Sequence, residues 1–286
     1  MQPVVAIVSA RPETIIDDYA RLMDLAGLKG IGANSNTILA VEAWDKGWKP
    51  GLACPPWQVE ALLKSFSDSK ADHEGAPFLL PVKNDGPSSD FRGVGWQKIL
   101  DRLEHQYFTA DALSPAPYRP EALLPALEGA LPQGVQFSPH LRGKNLFLLS
   151  TMSISSGGIL GANVSFLDSF LARGRKNSGK IPEGEILAEV VTLANEVFSS
   201  VAAVTDLTVI SVAGRAGRRV SLQRNLLVAG NDPVAVDAVL VHLAGLDTNE
   251  NQCLSLCQDR SVGVADLGGI RLVGETEWLD LDFQVP

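Results

Sequence analysis

Short apolar runs alternate with longer amphipathic stretches along most of the chain. The runs are rich in Val, Ile and Leu and predict strands at 4–8, 37–41, 78–82, 145–149, 207–212, 225–229 and 270–273. Between them, helical spacing of apolar residues predicts helices at 13–26, 57–66, 96–105, 121–128, 164–172, 183–201 and 234–243. Strands that alternate with helices are typical of a mainly parallel sheet covered by helices, so the pattern predicts an α/β fold.

A proline-rich segment interrupts this alternation at residues 110–134. Its prolines leave room for one short helix, which is typical of a connector. We expect a single α/β unit over residues 1–286. The pattern also leaves open a division into two closely packed lobes, 1–109 and 135–286, joined by this connector.

Charge and cysteine content narrow the classes of protein that fit this fold. The 24 Lys and Arg residues are outnumbered by 33 Asp and Glu residues, and the resulting net charge of −9 argues against nucleic acid as a partner. The apolar runs are too short or too charged to span a membrane, so we expect no membrane partner. Three cysteines cannot all pair with one another, and the first residues lack an export-signal pattern. We therefore expect a reduced protein in the cytoplasm.

The most distinctive motif follows the strand predicted at 225–229. Asp232 precedes Pro233, and an aspartate before a proline at the first helical position is typical of a helix N-cap. Asp237 comes about one turn later among apolar residues, so its carboxylate is either buried with a partner or faces a cleft. The sequence leaves open both a structural hydrogen bond and a functional acid at Asp237.

Four segments of the second half follow one another in a recognisable order, at 206–210, 214–217, 226–239 and 244–247. Their most specific part is the run Asp-Pro-Val-Ala-Val-Asp at 232–237. Together they resemble the C-terminal half of the domain-of-unknown-function family 362. Weaker similarity at 4–8, 37–41, 93–96 and 146–150 extends the resemblance over nearly the whole chain. The resemblance implies the α/β fold of that family.

The chain departs from this family at its polar motifs. Family members usually have Lys-Pro-Asn after the second strand, where this chain has Glu42-Ala43-Trp44, and their Lys-x-His is replaced by Thr-Met-Ser-Ile-Ser at 151–155. Many relatives carry cysteine-rich ferredoxin segments, whereas the three cysteines here are too few for the four thiolates of a cluster. We therefore expect no iron–sulfur cluster, no other cofactor and no metal site in this chain. A cluster shared between chains is a weaker alternative.

Ligands of parallel α/β sheets bind beyond the carboxyl ends of the strands. The loops predicted there are 42–48, 83–85, 151–158, 213–218 and 230–232, and they carry indoles, hydroxyls and guanidinium groups suited to an anionic, partly aromatic ligand. The predicted substrate-binding residues are Trp44, Trp48, Thr151, Ser153, Ser155, Arg215, Arg218 and Asp232. Alternatively, the tryptophans fill a seam between the halves and the arginines are solvated.

The catalytic candidates are Glu42, Asp237 and His140, although the sequence supports no Ser-His-Asp triad for His140. A carboxyl group whose pKa is raised by burial transfers protons near neutral pH. We expect a cytoplasmic enzyme that acts on a small anionic or aromatic substrate as an isomerase, cyclase or lyase. Its place would be in small-molecule metabolism, for example in a biosynthetic pathway. A homo-oligomer is left open. The alternative is a non-catalytic binding or accessory protein for a partner redox enzyme.

Overall fold

A computed structural model describes residues 2–32, 36–43, 49–67, 77–83, 86–87, 96–103, 113–154, 162–172, 174–176, 181–213 and 218–280. The strands are β1 (Val4–Ser9), β2 (Thr37–Glu42), β3 (Phe78–Lys83), β4 (Gly86–Pro87), β5 (Ala116–Pro117), β6 (Gln136–Phe137), β7 (Asn145–Ile154), β8 (Ser200–Ala213), β9 (Arg219–Gly230) and β10 (Arg271–Gly274). The helices are α1 (Ile15–Leu25), α2 (Lys29–Gly32), α3 (Pro56–Ser67), α4 (Gln97–Arg102), α5 (Pro125–Ala130), α6 (Ala162–Leu171), α7 (Glu183–Val197), α8 (Pro233–Leu243) and α9 (Gln252–Asp259).

Eight of the described strands form one sheet in the order β10-β1-β9-β8-β7-β2-β3-β4. Six of them run in the same direction, while β9 and the short edge strand β4 run in the opposite direction. This arrangement confirms the predicted α/β fold with a mainly parallel sheet. Strands from residues 1–109 and from residues 135–286 pair within the same sheet, so both parts of the chain build one framework.

Two apolar cores lie on opposite faces of the sheet. On one face, side chains of α1, α3 and α4 pack against inward positions such as Leu39, Phe147 and Val204. On the other face, α5 to α9 pack against the alternate positions of the same strands, such as Ala40 and Leu148. This alternation follows from the two-residue period of a strand, which turns neighbouring side chains to opposite faces.

The first part of β8 differs from the prediction. The helix predicted to end at 201 ends at Val197, and the strand predicted to begin at 207 begins at Ser200. Residues 201–204 are all small or apolar and fit both a helical and a strand pattern. Pairing with β7 makes them part of the strand.

The direction of β9 overturns another expectation. Because β9 is antiparallel to β8 and β1, the loop after it lies at the amino ends of the parallel strands. The prediction that residues 230–232 share the ligand edge with the other strand-end loops is therefore wrong.

In the described part of the chain, no helix is long and apolar enough to cross a membrane.

Candidate functional site

A carboxyl group and a threonine meet at the carboxyl ends of the central parallel strands. Pairing between β2 and β7 ends at Val41 and Leu149, while β7 runs on to Ile154. Beyond this point the backbone N–H of Thr151 donates to the side chain of Glu42 instead of to a β2 carbonyl. Its Oε2 atom accepts hydrogen bonds from Thr151 N at 2.9 Å and from Thr151 Oγ1 at 3.0 Å. The bonds hold the carboxyl group in one position at the edge of the sheet.

The surroundings of Glu42 tune its protonation. Burial raises the pKa of Glu42 to about 7, and the two hydrogen bonds from Thr151 oppose the rise. The residue is only partly buried, and its Oε1 atom accepts no hydrogen bond from the residues that the structure describes. Glu42 therefore combines a fixed position, an available oxygen and a pKa near neutrality, which are the properties of a general acid or base.

A second carboxyl group, Asp206, lies on β8 under α1 and α3. Its Oδ2 atom accepts hydrogen bonds from Tyr19 Oη at 2.6 Å and from Trp57 Nε1 at 3.0 Å, and its Oδ1 atom accepts one from Thr208 N at 2.8 Å. Burial raises the pKa of Asp206, and these bonds, together with one from Thr208 Oγ1, oppose the rise. Burial, followed by the charge of Asp206, raises the pKa of Tyr19, so this phenol stays protonated and donates. Asp206 thus anchors both helices to the sheet.

Cys54 ties the loop before α3 to the same region. Its Sγ atom donates to Gln58 Oε1 at 2.9 Å, and Gln58 Nε2 donates to the Val204 carbonyl at 2.8 Å. Cys54 N donates to the Glu42 carbonyl at 2.9 Å. Burial raises the pKa of the Cys54 thiol, and the nearby charges of Asp206 and Glu42 raise it further. The thiol is therefore a protonated hydrogen-bond donor rather than a thiolate nucleophile.

An arginine at the start of β9, Arg219, lies beyond Thr151 along β7. We call Glu42, Thr151, Ser153 and Arg219 together the polar edge. Arg219 Nη1 donates to Ser153 Oγ at 2.6 Å and to Ser211 Oγ at 3.2 Å. Arg219 is exposed, whereas Ser211 is buried at the floor of this contact. A guanidinium group beside hydroxyl groups is a common way to hold a carboxylate or phosphate.

Asp237 lies on the opposite face of the sheet. Its carboxylate accepts hydrogen bonds from Asn163 N at 2.9 Å, Val164 N at 2.9 Å and Asn163 Nδ2 at 2.8 Å, all at the start of α6. Asn163 is also hydrogen-bonded to Ser150 and Thr205. Burial raises the pKa of Asp237 to about 6, and the bonds from Asn163 and Val164 oppose the rise. The contacts are those of a buried cap for α6.

Two further predicted residues, Asp232 and His140, lie at the amino ends of the parallel strands, away from Glu42. Asp232 caps α8, because its Oδ1 accepts from Val234 N at 2.8 Å and from Ala235 N at 3.2 Å, and its Oδ2 accepts from Val264 N at 3.0 Å. His140 is exposed on a short helical turn before β7, at the amino ends of the parallel strands. Arg218 is exposed beside Arg219. Trp44, Trp48, Ser155 and Arg215 lie outside the described residues.

The structure therefore brings together three of the predicted residues, Glu42, Thr151 and Ser153, at one edge. It adds Asp206, Tyr19 and Arg219, which the sequence analysis did not propose as site residues. A signal for Asp206 was present, because it is a lone acid between two apolar stretches of a strand. No comparable signal separates Arg219 from its neighbour Arg218, since that choice depends on the direction in which β9 turns each side chain.

The described residues form no metal-binding site. No group of three or more His, Cys, Asp and Glu side chains there is arranged to hold a metal ion. The three cysteines are buried and free, with Cys54 in one core and Cys253 and Cys257 in the other.

Comparison with other proteins adds no relative. The chain matches no protein-family model, no curated protein and no solved structure. The resemblance to family 362 therefore stays a prediction.

Proposed function

We propose that this protein is an enzyme that moves a proton on a small anionic or aromatic metabolite, with Glu42 as the general acid or base. The observation that carries the proposal is the partly exposed Glu42 carboxyl group, held by Thr151, with a pKa of about 7. At neutral pH a substantial fraction is ionised and can take a proton, and the remainder can return one. Such a group serves isomerisation, cyclisation or elimination.

Arg219 supplies the complementary binding group. Thr151 and Ser153 are two residues apart on β7, which corresponds to about 7 Å along a strand. Glu42 is bonded to the first of them and Arg219 to the second. We therefore propose that a small carboxylic acid binds with its carboxylate on Arg219 and its neighbouring carbon atoms towards Glu42. Arg219 takes over the anion-binding role that the sequence analysis gave to Arg215 and Arg218.

The same proposal includes the setting of the enzyme. Free, buried cysteines support a reducing, cytoplasmic location. The site combines the carboxyl group of Glu42, which titrates near neutral pH, with hydroxyl and guanidinium groups, and this combination supports proton transfer by Glu42. A substrate from small-molecule metabolism fits a site whose charged groups are the carboxyl group of Glu42 and the guanidinium group of Arg219.

Proton exchange at carbon can be followed for many candidate substrates at once. The protein is incubated in D2O at pH 7 with a panel of small keto, hydroxy and aromatic carboxylic acids, and loss of carbon-bound proton signals is followed by NMR. We expect exchange with at least one acid, and a fall of at least about 100-fold in Glu42→Gln, the usual loss when a general base is removed. Exchange that is undiminished in Glu42→Gln would refute the role of this residue.

Glu60→Gln is the matched control. Glu60 lies on α3 and pairs with Lys64 and Arg102 at the protein surface, away from the hydrogen bonds of Glu42. We expect this variant to keep the exchange activity, because it removes a glutamate of the same length without touching the polar edge. If no acid exchanges and the protein purifies with a stoichiometric polypeptide, the result favours the non-catalytic accessory role.

A further inference from the structure

A separate cavity of about 280 Å3 opens at the carboxyl end of β1. It lies between the starts of α1 and α3 and the β8–β9 hairpin. Pro12, Ile15, Trp57 and Val209 give it a mainly apolar wall, and Arg11 adds a positive charge. The volume is slightly below the usual range for small-molecule sites, about 300–1,000 Å3, and suits one aromatic ring.

Hydrogen bonds to Asp206 fix two residues of the cavity wall. Trp57 Nε1 donates to Asp206, and Thr208, which also lines the cavity, donates to the same carboxylate. The indole N–H is therefore already bonded, and the indole contributes apolar surface to the cavity wall. An aromatic ligand gains stacking and apolar contact from a ring fixed in this way.

Arg11 is a positively charged residue of the cavity lining. Its backbone N–H is bonded to Asp18, but its guanidinium group forms no ion pair with any residue that the structure describes. In a protein of net charge −9, a guanidinium group at an apolar cavity favours an anion at that position. A ligand that satisfies both features has an aromatic ring for Trp57 and a carboxylate for Arg11.

We propose that this cavity binds a small aromatic carboxylate, with the ring against Trp57 and Val209 and the carboxylate on Arg11. The proposal goes beyond the function proposed for Glu42 and does not depend on it, because the side-chain hydrogen bonds of Glu42 are with Thr151 and not with the cavity wall. Binding at this cavity can be measured without any turnover.

The experiment is 19F NMR of 4-fluorobenzoate with the full chain, and the neutral isostere 4-fluorobenzamide serves as the second probe. We expect line broadening of 4-fluorobenzoate at concentrations up to about 1 mM. Arg11→Gln weakens benzoate binding about tenfold and leaves benzamide binding unchanged, because only the carboxylate pairs with the guanidinium group. Val209→Phe fills the cavity and abolishes the binding of both probes.

Two further variants serve as controls. Arg142→Gln removes an exposed arginine elsewhere on the surface and leaves binding unchanged, and so does Glu42→Gln. No broadening of 4-fluorobenzoate in the wild type, or equal binding in the wild type and Arg11→Gln, would overturn the proposal. Arg11 is exposed, so its variant remains informative if Val209→Phe fails to fold. Loss of exchange activity in Glu42→Gln with intact probe binding separates the two proposals.

Discussion

Gly51 lies where the loop after β2 crosses β8 beside the polar edge. Its φ angle is +71°, in the left-handed region that favours glycine. A Cβ atom at this position would lie 2.6 Å from the carbonyl carbon of Ile210 and still closer to the backbone nitrogen of Ser211. The neighbours are backbone atoms of a paired strand, so a rotamer change cannot relieve the overlap. Gly51→Ala is therefore expected to push the loop away from β8.

The magnitude follows from two costs. The left-handed conformation costs an alanine roughly 1–2 kcal/mol. The overlap adds an overpacking cost of about 1–3 kcal/mol, because Leu52, Ala53 and Cys54 follow immediately and are buried. We expect Gly51→Ala to lower the free energy of unfolding by about 2–5 kcal/mol, the sum of these terms.

Gly143 provides the control that separates the two costs. Its φ angle is +72°, and a Cβ atom there would meet nothing within 4 Å. Gly143→Ala should therefore show the conformational cost alone, about 1–2 kcal/mol. Both variants are compared with the wild type by urea unfolding followed by circular dichroism. A Gly51→Ala variant no less stable than Gly143→Ala would refute the predicted overlap between the loop and β8.

Three further predictions concern the carboxyl groups. Thr151→Val removes a hydroxyl donor that lowers the pKa of Glu42, so the pKa should rise above 7, as measured by 13C NMR of the carboxyl carbon; an unchanged or lower value would contradict this. Because the folded-state pKa of Asp237 is about 6 and its unfolded value about 4, the stability that this group contributes should fall as the pH rises from about 4 to 6. The difference in unfolding free energy between wild type and Asp237→Asn should shrink over that range, and a constant difference would count against it. Asp232→Ala should lose about 1–3 kcal/mol of stability in urea unfolding and Asp232→Asn less, because asparagine also caps helices.

The strand pattern of the sequence predicted most of the fold. Strands near 4–8, 37–41, 78–82 and 145–149 are found because each is an apolar run with helical patterns on both sides. The direction of β9 was not predictable in this way. Apolar content is the same for a parallel and an antiparallel strand, and the direction depends on a hairpin between β8 and β9 rather than on a helical crossover.

The candidate site was predictable only in part for a related reason. Glu42 could be placed at a strand end from the sequence, and its contact with Thr151 agrees with β2 and β7 being neighbouring parallel strands. The contact of Arg219 with Ser153 depends on a register shift between β7 and β8 after Thr151, which moves Ser211 to the position opposite Ser153. Such irregularities leave no signature in apolar periodicity, so the sequence analysis named Arg215 and Arg218 and did not name Arg219.

The two acids favoured by the sequence are divided by the sheet itself. Ser150 and Thr151 are consecutive on β7, and so are Thr205 and Asp206 on β8, so the members of each pair turn to opposite faces. Ser150 and Thr205 belong with Asn163 and Asp237 under α6, whereas Thr151 contacts Glu42 and Asp206 contacts Tyr19 under α1. Glu42 and Asp237 therefore have different environments and cannot act as an acid–base pair on one substrate. The half-buried Glu42 at the sheet edge is suited to proton transfer, and the fully enclosed Asp237 to fixing the helix that covers the opposite core.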